Sequence, residues 1–145
     1  MTHGTTPHPH HAGHVDLGDA ELNERISAGL TAVENLLEVE LAKGEDFLVD
    51  KVMHLTTAGG KRFRPMMALL ASQYGPDAGS ANVIKAAASL EIVHLATLYH
   101  DDVMDEADLR RGVDSANARW GNAVAILAGD ILFAHASRLM SELDT

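Results

Sequence analysis

The chain has 145 residues, with 21 Asp or Glu against 11 Lys or Arg for a formal charge of −10, 46% apolar residues and no cysteine. This length suits one domain of ordinary size or part of a larger one. The absence of cysteine excludes disulfides, thiolate zinc sites and cysteine nucleophiles. The acidic balance opposes attraction to nucleic acid or anionic lipid, so we expect no nucleic-acid partner.

The sequence also gives expectations about location. Its longest apolar stretches, 66–71 and 123–129, fall far short of the roughly 18 residues that cross a bilayer. The N-terminus has neither the basic start nor the apolar run of a secretory signal. These observations predict no transmembrane span and a cytoplasmic protein.

Residues 1–15 form the first predicted segment, a disordered tail. It holds five of the nine histidines among Thr, Pro and Gly, with almost no apolar side chain to bury. Metal binding by these histidines is the alternative, but their spacing fixes no coordination geometry. We assign this tail no function.

A long amphipathic helix is predicted next. Asp19 is its expected N-cap and Gly44 its expected C-cap, because apolar residues recur every three or four positions between them. A second helix is predicted over about 45–57, and the glycine pair at 59–60 breaks it.

Three further helices are predicted over 65–75, 80–101 and 121–143. Pro65 opens the first of these, and Ser80 can cap the second. No alternation of β-branched residues bounded by hairpin turns occurs, and we find no internal repeat. The sequence therefore predicts an all-α fold.

An acidic cluster with a DDxxD pattern lies in the segment LYHDDVMDEADLRRG. On a helix, Asp101 and Asp105 are one turn apart on the same face, with Asp102 beside them. At about 4 Å and an effective dielectric of about 20, one pair of like charges costs on the order of 4 kcal/mol, which a divalent cation removes. Carboxylates suit Mg²⁺, which completes its shell with water and substrate phosphates. The cluster predicts Mg²⁺ and a phosphorylated ligand; the alternative is a solvated acidic helix end.

A basic cluster, GGKRFRP, occupies 59–65. Glycines let the backbone approach an anion closely, and three cationic side chains precede the predicted helix. Together with Arg110 and Arg111 they can neutralise a diphosphate. The GxxxxGK[ST] spacing of a Walker loop is absent. The alternative is a solvated loop with a few charges.

With both clusters in view, the sequence resembles the trans-isoprenyl diphosphate synthases, or polyprenyl synthetases. The resemblance covers about 55–139 and rests on GGKRFRP, EIVHLATLYHDDVMDEADLRRG and GNAVAILAGD in that order. It implies an isoprenoid-synthase-type helical bundle, of which 16–145 would be the N-terminal portion, and a homodimer. It also implies a Mg²⁺-dependent enzyme that joins isopentenyl diphosphate head-to-tail to an allylic diphosphate.

The resemblance implies a binding role for four residues. Lys61, Arg64, His94 and Arg111 match the positions that hold isopentenyl diphosphate. His94 lies seven residues before Asp101 and is therefore nearly above it on one helical face. Outside this motif, a lone histidine on an apolar helix is more often a packed core residue.

The resemblance also implies the catalytic residues. Asp101, Asp102 and Asp105 match the first aspartate-rich motif, whose Mg²⁺ ions grip the allylic diphosphate, and Arg110 matches an arginine that contacts it. These groups would draw charge from the allylic diphosphate until its C–O bond breaks. The isopentenyl double bond would then attack the allylic cation.

Product length is the last expectation. Ala96 and Thr97 match the floor of the elongation cavity, where bulky aromatics stop growth early in the resembling family. Both side chains are small here, which predicts a long-chain product. The alternatives are a deeper residue that sets the length, and a geranylgeranyl or farnesyl diphosphate synthase.

Two features of the sequence depart from the family pattern. The residues 113–115, VDS, replace a turn that contains Pro or Thr. The second aspartate-rich motif would lie beyond Thr145, so we expect this chain alone to be inactive and to need the C-terminal half.

Two alternative functions stay open: a terpene cyclase and a noncatalytic subunit of a heteromeric synthase. The basic residues oppose the former, and the intact acidic motif opposes the latter.

Overall fold

The computed structural model describes residues 16–143, so the tail predicted over 1–15 lies outside the described residues. The described part consists of six helices and one short hairpin: α1 Ala20–Leu41, α2 Asp46–Thr57, α3 Phe63–Ser72, α4 Ala81–Met104, β1 Leu109–Arg110, β2 Val113–Asp114, α5 Ala116–Trp120 and α6 Asn122–Ser141. The two strands pair antiparallel. The prediction of an all-α fold is confirmed, with this hairpin as a small addition.

Both predicted N-caps are in place. The Asp19 side chain accepts hydrogen bonds from the backbone N–H groups of Glu21 and Leu22 at 2.9 and 3.1 Å. The Ser80 hydroxyl accepts one from the N–H of Val83 at 3.3 Å. Each bond satisfies a donor that the first helical turn leaves without a partner, which contributes about 1 kcal/mol.

Several element boundaries differ from the prediction: α1 ends at Leu41 with Ala42 rather than Gly44 as its C-cap, and α3 ends at Ser72 rather than at 75. Helix α3 begins at Phe63 rather than Pro65, because a proline fits anywhere in the first turn, where its missing N–H costs nothing. Helix α4 continues to Met104, three residues beyond the predicted end at Asp101. The acidic cluster thus lies on regular helix up to its last member.

The hairpin and the short helix α5 were not predicted. Each strand has only two residues, which is too short for an alternation pattern to show. Arg111, in the turn, has a φ of 53°, a left-handed conformation that few residues other than glycine adopt. Ser115 then caps α5 by accepting a hydrogen bond from the N–H of Ala118 at 3.2 Å.

Helix α4 is the central helix, and it packs against α1, α3, α5 and α6. Alanines on α4 and α6 let the two helices approach closely. A Cβ at Gly129 would lie 2.3 Å from Nε2 of His100, so only glycine fits at that crossing. This ring nitrogen lies 3.1 Å from the carbonyl oxygen of Ile126 and 3.3 Å from the carboxylate of Asp130, both on α6.

Two buried polar groups join the other helices. The Tyr99 hydroxyl of α4 lies 2.5 Å from the carbonyl oxygen of Lys51 and accepts a bond from the N–H of Leu55 at 3.3 Å, which ties α4 to α2. Burial raises the pKa of Tyr99. Glu40 of α1, only 1% exposed, pairs with His135 and Arg138 of α6.

Helices α4 and α6 are long and apolar enough to cross a membrane, by length and composition only. The expectation from sequence counted only uninterrupted apolar runs and so named neither helix. The finding is weak evidence for a span, because the core helix of a soluble protein meets the same criterion. Here both helices bury part of their surface inside the bundle.

Candidate active site

Three segments meet beside the C-terminal half of α4: the loop 58–62 between α2 and α3, α4 itself, and the hairpin. Arg111 of the hairpin donates hydrogen bonds to the carbonyl oxygens of Leu55 at 3.1 Å and Gly59 at 2.5 Å. These bonds join residues that are 56 and 52 positions apart in the chain. The acidic and basic clusters of the sequence therefore lie in one region of the fold.

The three aspartates have different surroundings. Asp101 and Asp102 lie in the last turns of α4, and Asp105 is the residue that caps its end. Asp102 is 1% exposed, whereas Asp101 is half-buried and Asp105 is exposed. Within residues 16–143, the carboxylates of Asp101 and Asp105 have no hydrogen-bond or ion-pair partner.

Arg110 binds the buried aspartate through two nitrogens of its guanidinium group. Its Nε lies 3.0 Å from Oδ1 of Asp102, and a second nitrogen lies 2.5 Å from the same oxygen. These hydrogen bonds raise the pKa of Arg110 above its usual value, so the guanidinium stays charged. A two-point pair of this kind fixes the orientation of both side chains.

The donor chemistry of this cluster suits Mg²⁺ only in part. No group of three or more His, Asp or Glu side chains among the described residues is arranged to hold a metal ion. Asp101 and Asp105 offer accessible carboxylates one helical turn apart, and such a pair fits a cation that takes its remaining ligands from phosphate and water. Asp102, predicted as a third ligand, pairs with Arg110 instead.

The predicted basic residues differ in accessibility. Lys61 and Arg64 are exposed, and neither has an ion-pair partner in the described part of the chain. His94 is half-buried, and burial lowers its pKa below the ordinary value of 6.5. Four arginines lower it further: Arg64, Arg111, Arg110 and Arg62. The region is thus strongly electropositive and suits a multiply charged anion.

The Arg111 side chain, which comes from the hairpin, binds loop 58–62 and does not point away from it. A Cβ at Gly60 would lie 2.9 Å from Cζ of Arg111, so the absence of a side chain at Gly60 admits the guanidinium. Burial is the main cause that lowers the pKa of Arg111. The loop glycine was predicted to admit an anion, but in the structure it admits this arginine.

Arg62 is a buried cation that the sequence analysis did not single out. Its φ is 51°, a left-handed conformation whose strain for a residue with a side chain is of order 1–3 kcal/mol. Its guanidinium pairs with Glu34 of α1 at 2.5 Å and with Glu91 of α4 at 3.0 Å. Another of its nitrogens donates to the carbonyl oxygen of Thr56 at 3.2 Å.

The polyprenyl synthetase family profile matches residues 45–145. The chain belongs to this family. The fold and family implied by the motifs are therefore confirmed.

Relatives of the polyprenyl synthetase family match most of the chain. The nonaprenyl diphosphate synthase of Mycobacterium tuberculosis is 55% identical over 129 residues, which cover 89% of this chain and 38% of that protein. The heptaprenyl diphosphate synthase component 2 of Geobacillus stearothermophilus is 42% identical over 118 residues, 82% of this chain and 37% of that protein. The chain therefore spans about two fifths of the length of these relatives.

Solved structures of the family share the fold. A geranylgeranyl pyrophosphate synthase from Corynebacterium glutamicum, complexed with calcium and isoprenyl diphosphate, matches with a TM-score of 0.78 and 67% identity over 90% of this chain and 39% of that one. A heptaprenyl diphosphate synthase from Staphylococcus aureus matches with a TM-score of 0.77 and 36% identity over 80% of this chain and 37% of that one.

The structure places the two predicted chain-length residues, Ala96 and Thr97, on different sides of α4, and their role stays a prediction. Ala96 is fully buried on the core side of α4, so its side chain does not line an open cavity. Thr97 lies 100° further around the helix, on the partly exposed side, and donates a hydrogen bond to the carbonyl oxygen of His94 at 2.6 Å. Of the two predicted floor residues, only Thr97 is partly exposed.

Sequence reasoning missed two acids beneath this polyprenyl synthetase site, Glu34 and Glu91, and counted Arg62 only as one of the three cations of the basic cluster. A signal for Glu91 was present, since it interrupts the apolar core positions of α4 that include Ile92 and Leu95. A fully buried glutamate is rare without a cationic partner. The identity of that partner depends on the left-handed turn at Arg62, which the sequence does not reveal.

Proposed function

We propose that the protein carrying this chain is a trans-prenyl diphosphate synthase that uses Mg²⁺ to join isopentenyl diphosphate head-to-tail to an allylic diphosphate. The supporting observation is the presence of two unlike charged sites beside one helix. One has the accessible carboxylates of Asp101 and Asp105, and the other has the accessible cations of Lys61 and Arg64. A metal-bound diphosphate suits the first, and a directly bound diphosphate suits the second.

The residues of the chain divide the work accordingly. Asp101 and Asp105 would hold Mg²⁺, which when bound withdraws charge from the allylic diphosphate. Arg110, fixed in place by Asp102, would stabilise the negative charge that develops on this leaving group. Lys61 and Arg64 would position isopentenyl diphosphate, whose double bond attacks the allylic cation that forms when the C–O bond breaks. The carbocation formed by this condensation then loses a proton to the released diphosphate, which gives the new allylic diphosphate.

The proposed product is a long-chain polyprenyl diphosphate. Thr97 lies on the partly exposed side of α4 together with Leu90 and Val93, which are 50% and 39% exposed. These apolar and small side chains leave room for a growing hydrocarbon chain beside the helix. They also offer it an apolar surface.

The proposal includes a cytoplasmic homodimer whose C-terminal half supplies a second aspartate-rich motif. This chain by itself would then be inactive. A heteromeric synthase is the second candidate, because the Geobacillus stearothermophilus relative is named as component 2 of such an enzyme. Turnover by the complete protein purified alone supports the homodimer, whereas turnover only after a second subunit is added supports the heteromer.

Substitution of Lys61 tests the proposed function. In the complete protein, Lys61→Ala should raise the KM for isopentenyl diphosphate about tenfold and leave the KM for the allylic substrate unchanged, because only one diphosphate loses a cation. Lys85→Ala is the matched control, since this lysine of α4 pairs with Glu142 instead. Product formation from the allylic substrate alone would favour a terpene cyclase. Equal effects of Lys61→Ala on both KM values would contradict the assignment.

A further inference from the structure

A cluster of four charged side chains lies beneath the basic loop 58–62. It contains two acids and two bases, here called the Glu91 cluster: Glu34, Arg62, Glu91 and Arg111. Oε1 of Glu91 lies 3.0 Å from Arg62 and 3.8 Å from Arg111, so one carboxylate oxygen stands between two guanidinium groups. The side chains of Arg62 and Glu91 are only 3% and 2% exposed.

The Glu91 cluster connects every segment that carries a proposed isopentenyl diphosphate residue. Arg62 belongs to the loop with Lys61, immediately before the helix that carries Arg64. Glu91 lies on α4 one helical turn before His94. Arg111 comes from the hairpin and bonds the carbonyl oxygens at the end of α2 and in the loop.

The four cations of this region differ in direction: the two arginines of the cluster point inward, and the other two cations are exposed. Arg62 and Arg111 point inward and are neutralised by carboxylates and backbone carbonyls. Lys61 and Arg64 stay exposed, and within residues 16–143 no carboxylate neutralises them. Since an unpaired buried charge is strongly unfavourable, Glu91 is the group that permits two arginines to approach each other here.

We propose that Glu91 is a positioning residue for the isopentenyl diphosphate site, holding Arg62 and Arg111 inward so that loop 58–62 presents Lys61 and Arg64 to the substrate. The inference rests on the proposed function and extends it to a residue that does not itself touch substrate. Without the carboxylate, the two guanidinium groups repel, and the loop and the hairpin turn separate. Arg110 remains bound to Asp102 of α4 by its own two-point pair, so the allylic site keeps its geometry although the neighbouring turn moves.

The test compares two buried glutamates in the complete protein. Glu91→Gln keeps the shape of the side chain and removes its charge. The matched control is Glu40→Gln, because Glu40 is also 1% exposed and bound to an arginine, Arg138, but belongs to α1 and α6. Both variants should lower the thermal unfolding temperature, since each removes the charge of a buried carboxylate that binds cations from another segment.

The two variants should differ in kinetics. Glu91→Gln should raise the KM for isopentenyl diphosphate about tenfold, with the allylic KM within about twofold of wild type, because a displaced loop weakens one site only. Glu40→Gln should leave both KM values at the wild-type level. Calorimetric titration with isopentenyl diphosphate should show the same difference in binding. Equal changes in Glu91→Gln and Glu40→Gln, or a Glu91→Gln variant with wild-type KM values, would overturn the inference.

A milder variant covers the case in which Glu91→Gln does not fold. Glu34 is 21% exposed and contacts Arg62, so Glu34→Gln should fold and raise the KM for isopentenyl diphosphate by about threefold. An unchanged KM in a folded Glu34→Gln variant would count against the cluster's role. Failure of the proposed function looks different, because the wild-type protein would then form no prenyl product from the two substrates.

Discussion

The two sides of α4 have opposite relations to the rest of the molecule. The core side is fully packed and carries residues at most 1% exposed: Ile92, Leu95, Ala96, Tyr99 and Asp102. The open side is partly exposed and includes apolar, small and acidic residues: Leu90, Val93, Thr97, Asp101 and Met104. Both sides are largely apolar, so hydrophobicity alone does not distinguish the packed side from the partly exposed side.

This difference predicts which side of α4 controls stability and which side controls catalysis. Substitutions on the core side should change the free energy of unfolding, because they alter close packing or buried hydrogen bonds. Substitutions on the open side should change catalysis or product and leave unfolding nearly unaffected. The following predictions, for the complete protein, test this division.

Asp101→Ala should have the largest effect. We expect turnover to fall at least about a hundredfold, since electrostatic stabilisation of the leaving group is lost, while the unfolding temperature stays near wild type. Steady-state rates over a Mg²⁺ titration and a thermal melt measure the two quantities. Wild-type turnover in Asp101→Ala would remove this residue from the proposed metal site.

Ala96→Phe should destabilise the fold by about 1–3 kcal/mol, because a phenyl ring overpacks a position with no free space. Chemical denaturation measures this loss. Ala96→Gly is the control for a change at the same site without added volume. If Ala96→Phe instead shortened the product with unchanged stability, position 96 would belong to the open side.

Tyr99→Phe should cost about 1 kcal/mol of stability, because the hydroxyl that links α4 to the carbonyl oxygen of Lys51 is removed from a buried place. Denaturation midpoints at constant m-value measure it. The KM values should not change. An altered allylic KM would show that the core side also shapes the site.

Thr97→Phe should change stability by less than about 0.5 kcal/mol, as is usual for exposed positions. Its effect should appear in the product, which becomes shorter because the ring occupies the space beside the helix. Chromatography of dephosphorylated products, with Thr97→Ser as the control, measures chain length. Identical products from wild type and Thr97→Phe would assign chain-length control to another residue.

His94→Gln should have the smallest effect, on the pH dependence of stability. Burial and the nearby arginines lower the pKa of folded His94 below 6.5, so below that pH the unfolded chain takes up a proton that the folded protein does not. Wild type should therefore lose stability relative to His94→Gln as pH falls from about 7 to about 5. Denaturation midpoints over this range give the difference, and a parallel course for both proteins would contradict it.

The long helices could be predicted from sequence because their signals are local. Asp19 and Ser80 mark helix starts by hydrogen bonds to residues two or three positions away. The hairpin could not be predicted, since it depends on a left-handed Arg111 that tertiary bonds to Leu55 and Gly59 hold in place.

The site could be predicted only in its accessible parts. The sequence motifs identified the accessible charged residues Asp101, Asp105, Lys61 and Arg64. Their roles stay predictions. Ala96 lies on the core side of α4, which its position before the motif does not reveal. The partners of Asp102 and Glu91 come from distant segments, which spacing along the chain does not reveal.

The bonds from Arg111 to residues 52 and 56 positions earlier have a consequence for folding. Closing so long a loop costs entropy that no local contact offsets, so the hairpin docks only after α2 and α4 have come together. The basic loop therefore acquires its final shape late on the folding pathway. Protection of the Arg111 region from hydrogen exchange should appear after protection of α4, and affinity for diphosphate should appear with it.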